Sequence, residues 1–155
     1  RFVRGKGLFH PVDWIPPAEW ADDEYPFVLS TGRRLWHYHT RTQTRNAVGL
    51  DTIFPEELFE INPEDAKKLG VNSGDMVRVT SRRGSIEVKA WVTDRSPRGV
   101  CWCSFHFEEA CGNVLTNNVF DPVTETAEYK VSAVRIEKIS DGQPWDTVVQ
   151  RQARP

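Results

Sequence analysis

The sequence predicts a mainly β domain, a barrel or a sandwich with a few short helices inserted. At least six short apolar or alternating segments are separated by turn residues, and only one segment carries a complete helix signature. The chain has 155 residues, 20 Lys plus Arg against 22 Asp plus Glu, and 39% hydrophobic residues. That is enough for one domain with a core, and it excludes long disorder and collagen-like structure.

The first 26 residues are unlike the rest. They hold four of the ten prolines together with exposed-looking aromatic residues, a composition that predicts an extended arm packed against another surface. The chain starts at Arg1 and its single methionine is Met76. We therefore expect a piece of a longer protein, with residues 1–26 as the connection to the remainder.

The domain itself is expected over residues 27–140. PFVLSTG predicts a buried strand that ends at Gly32, and LFEIN, residues 58–62, predicts a second strand. A short helix follows, since Asn62 is a good cap, Pro63 suits the first helical position and Gly70 is a typical stop.

The second half of the domain continues in strands. MVRVTS and SIEVKAWVTD alternate in period two around a turn at residues 82–84, which predicts a hairpin. Further strands are expected over residues 99–105 and 131–139, and residues 141–155 form a polar tail. Cys101 and Cys103 are expected side by side in the core.

Several classes of function are excluded. The sequence has no apolar run of the roughly 18–20 residues that a membrane span needs, and no block of basic residues for nucleic acid. Three cysteines are an odd number in a chain too large for a disulfide scaffold, which predicts a reducing compartment. We expect the cytoplasm, with the periplasm left open.

Residues 30–45 form the densest polar cluster. The stretch contains four arginines, two histidines and several hydroxyls but no acid, and Gly32 would let backbone amides approach a ligand. This inventory predicts a site for a phosphorylated ligand, whereas the alternative is a solvated arginine-rich loop. His37 and His39 could also bind zinc or copper with His106 and Cys103, but hydrogen bonding to a ligand or to the backbone is the favoured interpretation.

A second cluster spans residues 104–118. Its asparagines could read the edge of a heterocycle between aromatic walls, or simply form a turn; the residues are Asn113, Asn117, Asn118, Phe105 and Phe107. Tyr129 and Lys130 add a cationic donor before the last strand. The sequence offers no activated nucleophile and no paired carboxylates, so we assign no catalytic residue.

These clusters occur in a recognisable order. TGRRLWHYHTRTQTR, the segment from INPEDAKKLG to GVCWCSF, and NVLTNNVFDPVTETAEYKVSAVRIEKI together resemble the C-terminal domain of the molybdopterin oxidoreductases. The resemblance covers about residues 25–139 and is greatest to the large (alpha) subunit of formate dehydrogenases, in LSTGRRLWHYHT and SFHFEEACGNVLTNN. Nitrate reductases share much of the first motif.

The resemblance implies a double-psi β-barrel of the aspartate-decarboxylase-like class that binds molybdopterin guanine dinucleotide. The first motif would line the pterin and diphosphate, with Arg33 and His37 as donors, while Phe105, Asn113 and Lys130 match further cofactor contacts and Tyr129 lies beside them. The implied cofactor-binding set is Thr31, Gly32, Arg33, Leu35, His37, His39, Thr40, Phe105, Asn113, Tyr129 and Lys130.

The resemblance also implies what lies elsewhere. The intact enzyme would hold molybdenum or tungsten in two guanine dinucleotide cofactors (bis-MGD), and a [4Fe-4S] cluster in another part of the chain. This domain alone is expected to be inactive, with the rest of the catalytic subunit and iron-sulfur electron-transfer subunits as partners and neither nucleic acid nor a direct membrane span involved. A nitrate reductase-type enzyme and a stand-alone cofactor-binding subunit are the alternatives.

Overall fold

The predicted strands close into a barrel. A computed structural model describes residues 1–143, in which six strands follow each other around the barrel in the order β1-β5-β2-β4-β3-β6. The strands are β1 (Phe27–Gly32), β2 (Leu58–Ile61), β3 (Met76–Thr80), β4 (Ser85–Val92), β5 (Val100–Ser104) and β6 (Ser132–Ser140). All six were predicted, with ends within two residues. Most of the predicted tail, residues 144–155, lies outside the described residues.

The pairing pattern identifies the barrel type. β1 pairs with β5 and β2 with β4 in parallel, and all other neighbours are antiparallel. Exchanging the first three strands for the last three leaves this map unchanged, so the barrel consists of two interlocked halves. This is the double-psi β-barrel that the resemblance implied.

Two helices and two 3-10 turns lie between the strands. Helix α2 (Pro63–Leu69) is as predicted: the Asn62 side chain accepts from the Glu64 amide at 3.0 Å, and Gly70 ends the helix at φ 67°. Helix α1 (Val48–Ile53) and the 3-10 turns at Thr44–Asn46 and Gly112–Val114 were not predicted. None of the helices within residues 1–143 has both the length and the apolar character that crossing a bilayer requires.

The barrel interior is the hydrophobic core. Inward residues such as Leu29, Phe59 and Val77 are fully buried, and β3 and β4 pair in the predicted hairpin. Cys101 and Cys103 are both buried in this core, which confirms their predicted placement. Burial raises the pKa of both thiols far above their usual range, so neither is a nucleophile at neutral pH.

The N-terminal segment approaches the barrel only near its end. Glu19 accepts hydrogen bonds from Arg82, from Arg83 and from the Ala133 amide, which ties residues 18–25 to the β3–β4 turn. Upstream, large apolar side chains are exposed to solvent, among them Phe2, Phe9, Val12, Trp14 and Ile15.

Candidate cofactor-binding site

The parallel pairing of β1 and β5 brings the first two motifs to one edge of the barrel. Gly32, the last residue of β1, is in register with Ser104, the last residue of β5. The carboxyl ends of parallel strands meet at the same edge of a sheet, so the segments that leave them are neighbours. We call residues 33–43 the site loop; it faces the segment that follows β5.

A cluster around Phe105 joins these segments. The Arg33 guanidinium lies 5.3 Å from the centre of the half-buried Phe105 ring, and the His39 ring lies edge-on to it at 5.9 Å. Phe105, Thr40 and the exposed Asn113 line a groove of about 280 Å³. Within residues 1–143, the side chains of Arg33 and Asn113 have no hydrogen-bond or ion-pair partner in the protein, so their donors are available to a ligand.

A third motif reaches the end of the same strand. The buried Thr31 hydroxyl donates to the Tyr129 carbonyl at 2.6 Å, and Lys130 Nζ donates to the Thr31 carbonyl at 2.5 Å. Lys130 Nζ also lies 5.2 Å from the centre of the Tyr129 ring. Residues almost a hundred positions apart in the sequence thus meet at one end of the barrel.

Packing against Trp102 explains why position 32 is a glycine, which the sequence did not reveal. A Cβ at this position would lie 2.7 Å from Cζ2 of Trp102 and 2.9 Å from its Nε1. The prediction was that Gly32 lets backbone amides approach a ligand. In the structure the space beside its Cα is filled by the protein's own indole ring.

His37 points inward and its two ring nitrogens are already engaged. Nε2 lies 2.6 Å from the Phe54 carbonyl and Nδ1 lies 3.1 Å from the Thr44 hydroxyl. The predicted donation from His37 to a pterin or phosphate would require one of these contacts to be replaced. His39, by contrast, is exposed, so the two rings do not share a face. Within residues 1–143, no three His, Cys, Asp or Glu side chains are arranged to hold a metal ion.

Arg34 is also turned inward, which corrects the picture of four ligand-facing arginines. Its guanidinium donates to Glu60 and to the Leu58 carbonyl, both at 2.7 Å, and lies 4.4 Å from the centre of the Trp102 ring. A buried guanidinium with these partners is not available to an external anion.

The other two arginines of the cluster form ion pairs with acidic residues from outside residues 30–45. Arg41 forms ion pairs with Asp51 at 3.3 Å and with Glu109 at 3.1 Å, and Arg45 approaches Glu108 at 3.6 Å. The stretch itself contains no acid, but the fold brings three acids from outside it to this side of the groove. Of the four arginines, only Arg33 is exposed and without a carboxylate partner in the described part of the chain.

Two members of the second cluster are structural. Asn117 Nδ2 donates to the Val131 carbonyl at 2.9 Å, and its Oδ1 accepts from the Val119 amide at 3.1 Å. Phe107 is 1% exposed and belongs to a small core with Phe54. Neither side chain is placed to contact a heterocycle in this arrangement. Of the other predicted site residues, Leu35 and Thr40 are exposed on the site loop.

Sequence reasoning missed the residues that support the loop. Glu57 is buried and accepts from the Ser104 amide at 2.9 Å and from the Ser104 hydroxyl, and the His106 ring bonds to the site-loop backbone. Burial raises the pKa of Glu57, opposed by the charge of Arg34 and by the Ser104 hydrogen bonds. An acid next to a predicted strand gave no signal of this role.

Comparison with known families establishes the family of this chain. The sequence model of the family described as "Molydopterin dinucleotide binding domain" matches residues 27–133, which is most of the chain and contains the first two motifs and the larger part of the third. The chain belongs to this family. The matched range starts at the first residue of β1 and includes the barrel edge formed by the ends of β1 and β5.

Curated relatives agree with this membership. The domain is 46% identical over 141 residues to the alpha subunit of F420-dependent formate dehydrogenase 2 from Methanococcus maripaludis, covering 90% of this chain and 21% of the relative. It is 40% identical to formate dehydrogenase H of Escherichia coli (88% and 19% covered) and 41% identical to a nitrate reductase of Symbiobacterium thermophilum (86% and 18%). The chain therefore spans about a fifth of the length of these relatives.

One solved structure supports the fold. Acetylene hydratase from Pelobacter acetylenicus superposes with a TM-score of 0.58 at 18% sequence identity, covering 75% of this chain and 19% of that one. At this identity the likeness establishes a shared barrel.

The donor chemistry at the barrel edge fits a molybdopterin dinucleotide. A diphosphate needs cationic and amide donors, and the side chains of Arg33 and Asn113 have donors without a partner among the described residues. A planar heterocycle needs a flat apolar wall, which the half-buried Phe105 ring can supply. The residues that would hold the cofactor are thus Arg33, His39, Phe105 and Asn113, with Thr31, Tyr129 and Lys130 fixing the adjoining strand end.

Proposed function

We propose that this domain binds molybdopterin guanine dinucleotide as part of the catalytic subunit of a molybdenum- or tungsten-dependent formate dehydrogenase. The observation that carries the proposal is the convergence of three sequence motifs on one edge of the barrel, in a chain of this family. Identities of 46% and 40% to two formate dehydrogenases support the substrate assignment.

The residues of this chain would bind and orient the cofactor. Arg33 donates from its guanidinium to diphosphate oxygens, Asn113 supplies an amide donor and acceptor, and Phe105 forms an apolar wall. Lys130 stays on the Thr31 carbonyl and keeps the end of β1 in place. When bound, the cofactor and its metal supply the two-electron redox chemistry of formate oxidation to CO2.

The remaining parts of the enzyme lie in other segments. We propose that the metal ligand and a [4Fe-4S] cluster belong to the rest of the catalytic subunit, that the isolated domain is inactive, and that iron-sulfur subunits accept the electrons, in the cytoplasm. The exposed apolar side chains of residues 1–17 support contact with that remainder, because a patch of this kind normally marks an interaction surface.

A nitrate reductase-type enzyme is the second candidate. Its support is the 41% identity to the nitrate reductase of Symbiobacterium thermophilum, which is close to the identity to formate dehydrogenase H. The barrel edge binds the cofactor in either case, so turnover of formate against nitrate by the full-length protein separates the two.

The test of cofactor binding uses the full-length protein with the variants Arg33→Gln and Asn113→Ala. Each should lower the amount of guanine dinucleotide released from the purified protein by several-fold, because each removes a charge-assisted or amide donor. The matched controls are Arg78→Gln and Asn72→Ala, exposed residues that do not line the groove beside Phe105. Wild-type cofactor content in both site variants would refute the proposal.

A further inference from the structure

The buried imidazole of His106 bonds to the backbone of the site loop at two points. His106 is 1% exposed, its Nε2 accepts from the Arg34 amide at 2.8 Å, and its Nδ1 contacts the His39 carbonyl. The His106 amide in turn donates to the Ser104 hydroxyl at 3.2 Å. A single side chain that follows β5 therefore bonds to the backbone at both ends of the stretch from Arg34 to His39.

These two contacts fix the protonation of the ring. A backbone amide can only donate and a carbonyl can only accept, so His106 must carry its proton on Nδ1 and keep a lone pair on Nε2. Burial lowers the pKa of His106, partly opposed by the bond to His39, and the nearby charges of His37, Arg34 and Arg33 lower it further. Glu57 accepts from Ser104, whose hydroxyl also bonds to the His106 amide.

The site loop that His106 holds has strained backbone, and its side chains alternate between buried and exposed positions. His39 has φ 47° and Arg41 has φ 62°, a region that non-glycine residues enter at a cost. Arg34 and His37 are buried, whereas Arg33, Leu35 and His39 are exposed. A shift of the backbone between residues 34 and 39 would therefore move the exposed set away from Phe105.

We propose that His106 is a positioning residue that, as a neutral imidazole bridging the Arg34 amide and the His39 carbonyl, presents Arg33 and His39 to the dinucleotide. The role rests on the proposed function, because presentation matters only if the loop contacts that cofactor. His106 itself is covered by the loop and would act through it.

The test compares His106→Phe, which keeps a ring without hydrogen bonds, with His106→Gln, which restores one donor and one acceptor. In the full-length protein, deuterium exchange of the peptide covering residues 33–41 should be about five- to thirtyfold faster in H106F, the factor for a loss of one or two hydrogen bonds. Cofactor retention should fall with it, and both values should recover in part in H106Q. The control is Lys67→Gln, an exposed residue of helix α2 outside the site loop.

A pH profile adds a readout that packing alone would not change. Wild-type retention should drop once the pH falls below the lowered pKa of His106, because a proton on Nε2 removes the acceptor for the Arg34 amide. H106Q should lack this acid step, since an amide does not titrate there. An acid step of the same size in H106Q would overturn the proposal.

The remaining outcomes are distinct. Unchanged exchange or unchanged retention in H106F overturns the positioning role, and equal losses in H106F and H106Q reduce His106 to packing and overturn it as well. If the wild-type protein carries no molybdopterin dinucleotide, the proposed function fails and the positioning role falls with it. The exchange data would still show whether His106 holds the loop, so the two failures are distinguishable.

Discussion

At the scale of single residues, exposed and buried side chains alternate along one stretch of sequence. Arg33 and Arg34 are identical neighbours, yet Arg33 lies on Phe105 in solvent and Arg34 is buried against Glu60. Composition identified the stretch but could not separate the two, because the partners of Arg34 come from β2 and from Trp102. The same holds for His37 and His39.

A substitution at Gly32 tests how tightly the end of β1 packs against Trp102. We expect Gly32→Ala to lower the free energy of unfolding by about 1–3 kcal/mol, because its Cβ would overlap the Trp102 ring, which must shift. Urea unfolding measures this change. Gly49→Ala, at a helical position with no atom within 4 Å of the added methyl, should leave stability unchanged or raise it. Equal effects of the two substitutions would contradict the packing explanation.

The carboxylate of Glu19 provides a second test at the scale of single residues, because its pKa depends on its hydrogen bonds. Partial burial would raise its pKa, but hydrogen bonds from Arg83, the Ala133 amide and Arg82 outweigh this and lower it to about 2. A lowered carboxyl pKa stabilises the fold above its usual value of 4.5, and the gain is lost as the pH falls towards 2.

We expect the difference in unfolding free energy between the wild type and the Glu19 variant to depend on pH below 4.5. Glu19→Gln should be less stable than the wild type at pH 7, and the gap should narrow between pH 4.5 and 2. Chemical unfolding at a series of pH values measures it, with Glu125→Gln, an exposed turn residue, as control. A gap that stays constant with pH would show that the charge of Glu19 is not the cause.

At the scale of elements, the sequence predicts what local chemistry determines. Helix α2 has its cap, proline and glycine stop within nine residues, and the β3–β4 hairpin has its turn between two alternating segments. Helix α1 has neither a side-chain cap nor a buried residue, so no local signal marked it. The strand pairing of β1 with β5 depends on residues about 70 positions apart, which pattern alone does not specify.

The start of helix α2 is the test at this scale. Asn62→Ala removes the hydrogen bond to the Glu64 amide and the 2.9 Å bond from Asn62 Nδ2 to the Ser96 carbonyl. We expect a loss of about 1–2 kcal/mol in the free energy of unfolding. Asn118→Ala is the matched control, and thermal unfolding of the two variants compares them. A loss no larger than that of the control would mean that the cap contributes little.

At the scale of the whole molecule, charged side chains connect the site loop at the barrel edge to the buried interior. Arg34 belongs to the site loop, yet its guanidinium donates to Glu60 on β2 and lies 3.7 Å from Glu57. Ser104 at the end of β5 bonds to Glu57 and also to the amide of His106, which holds the loop. The resemblance could point to this edge as the cofactor side, but the buried support beneath it required the three-dimensional contacts.

Arg34 and Glu60 provide the test of this connection. Arg34→Leu should lower the free energy of unfolding by about 3–5 kcal/mol, because it leaves a buried carboxylate without its counter-charge. The double variant Arg34→Leu/Glu60→Leu should recover part of that loss, since neither charge is then buried alone. Urea unfolding of both single variants and the double variant completes the cycle. Strictly additive losses would mean that Arg34 and Glu60 are not coupled and that Arg34 acts through its other contacts, which are the Leu58 carbonyl, Glu57 and the Trp102 ring.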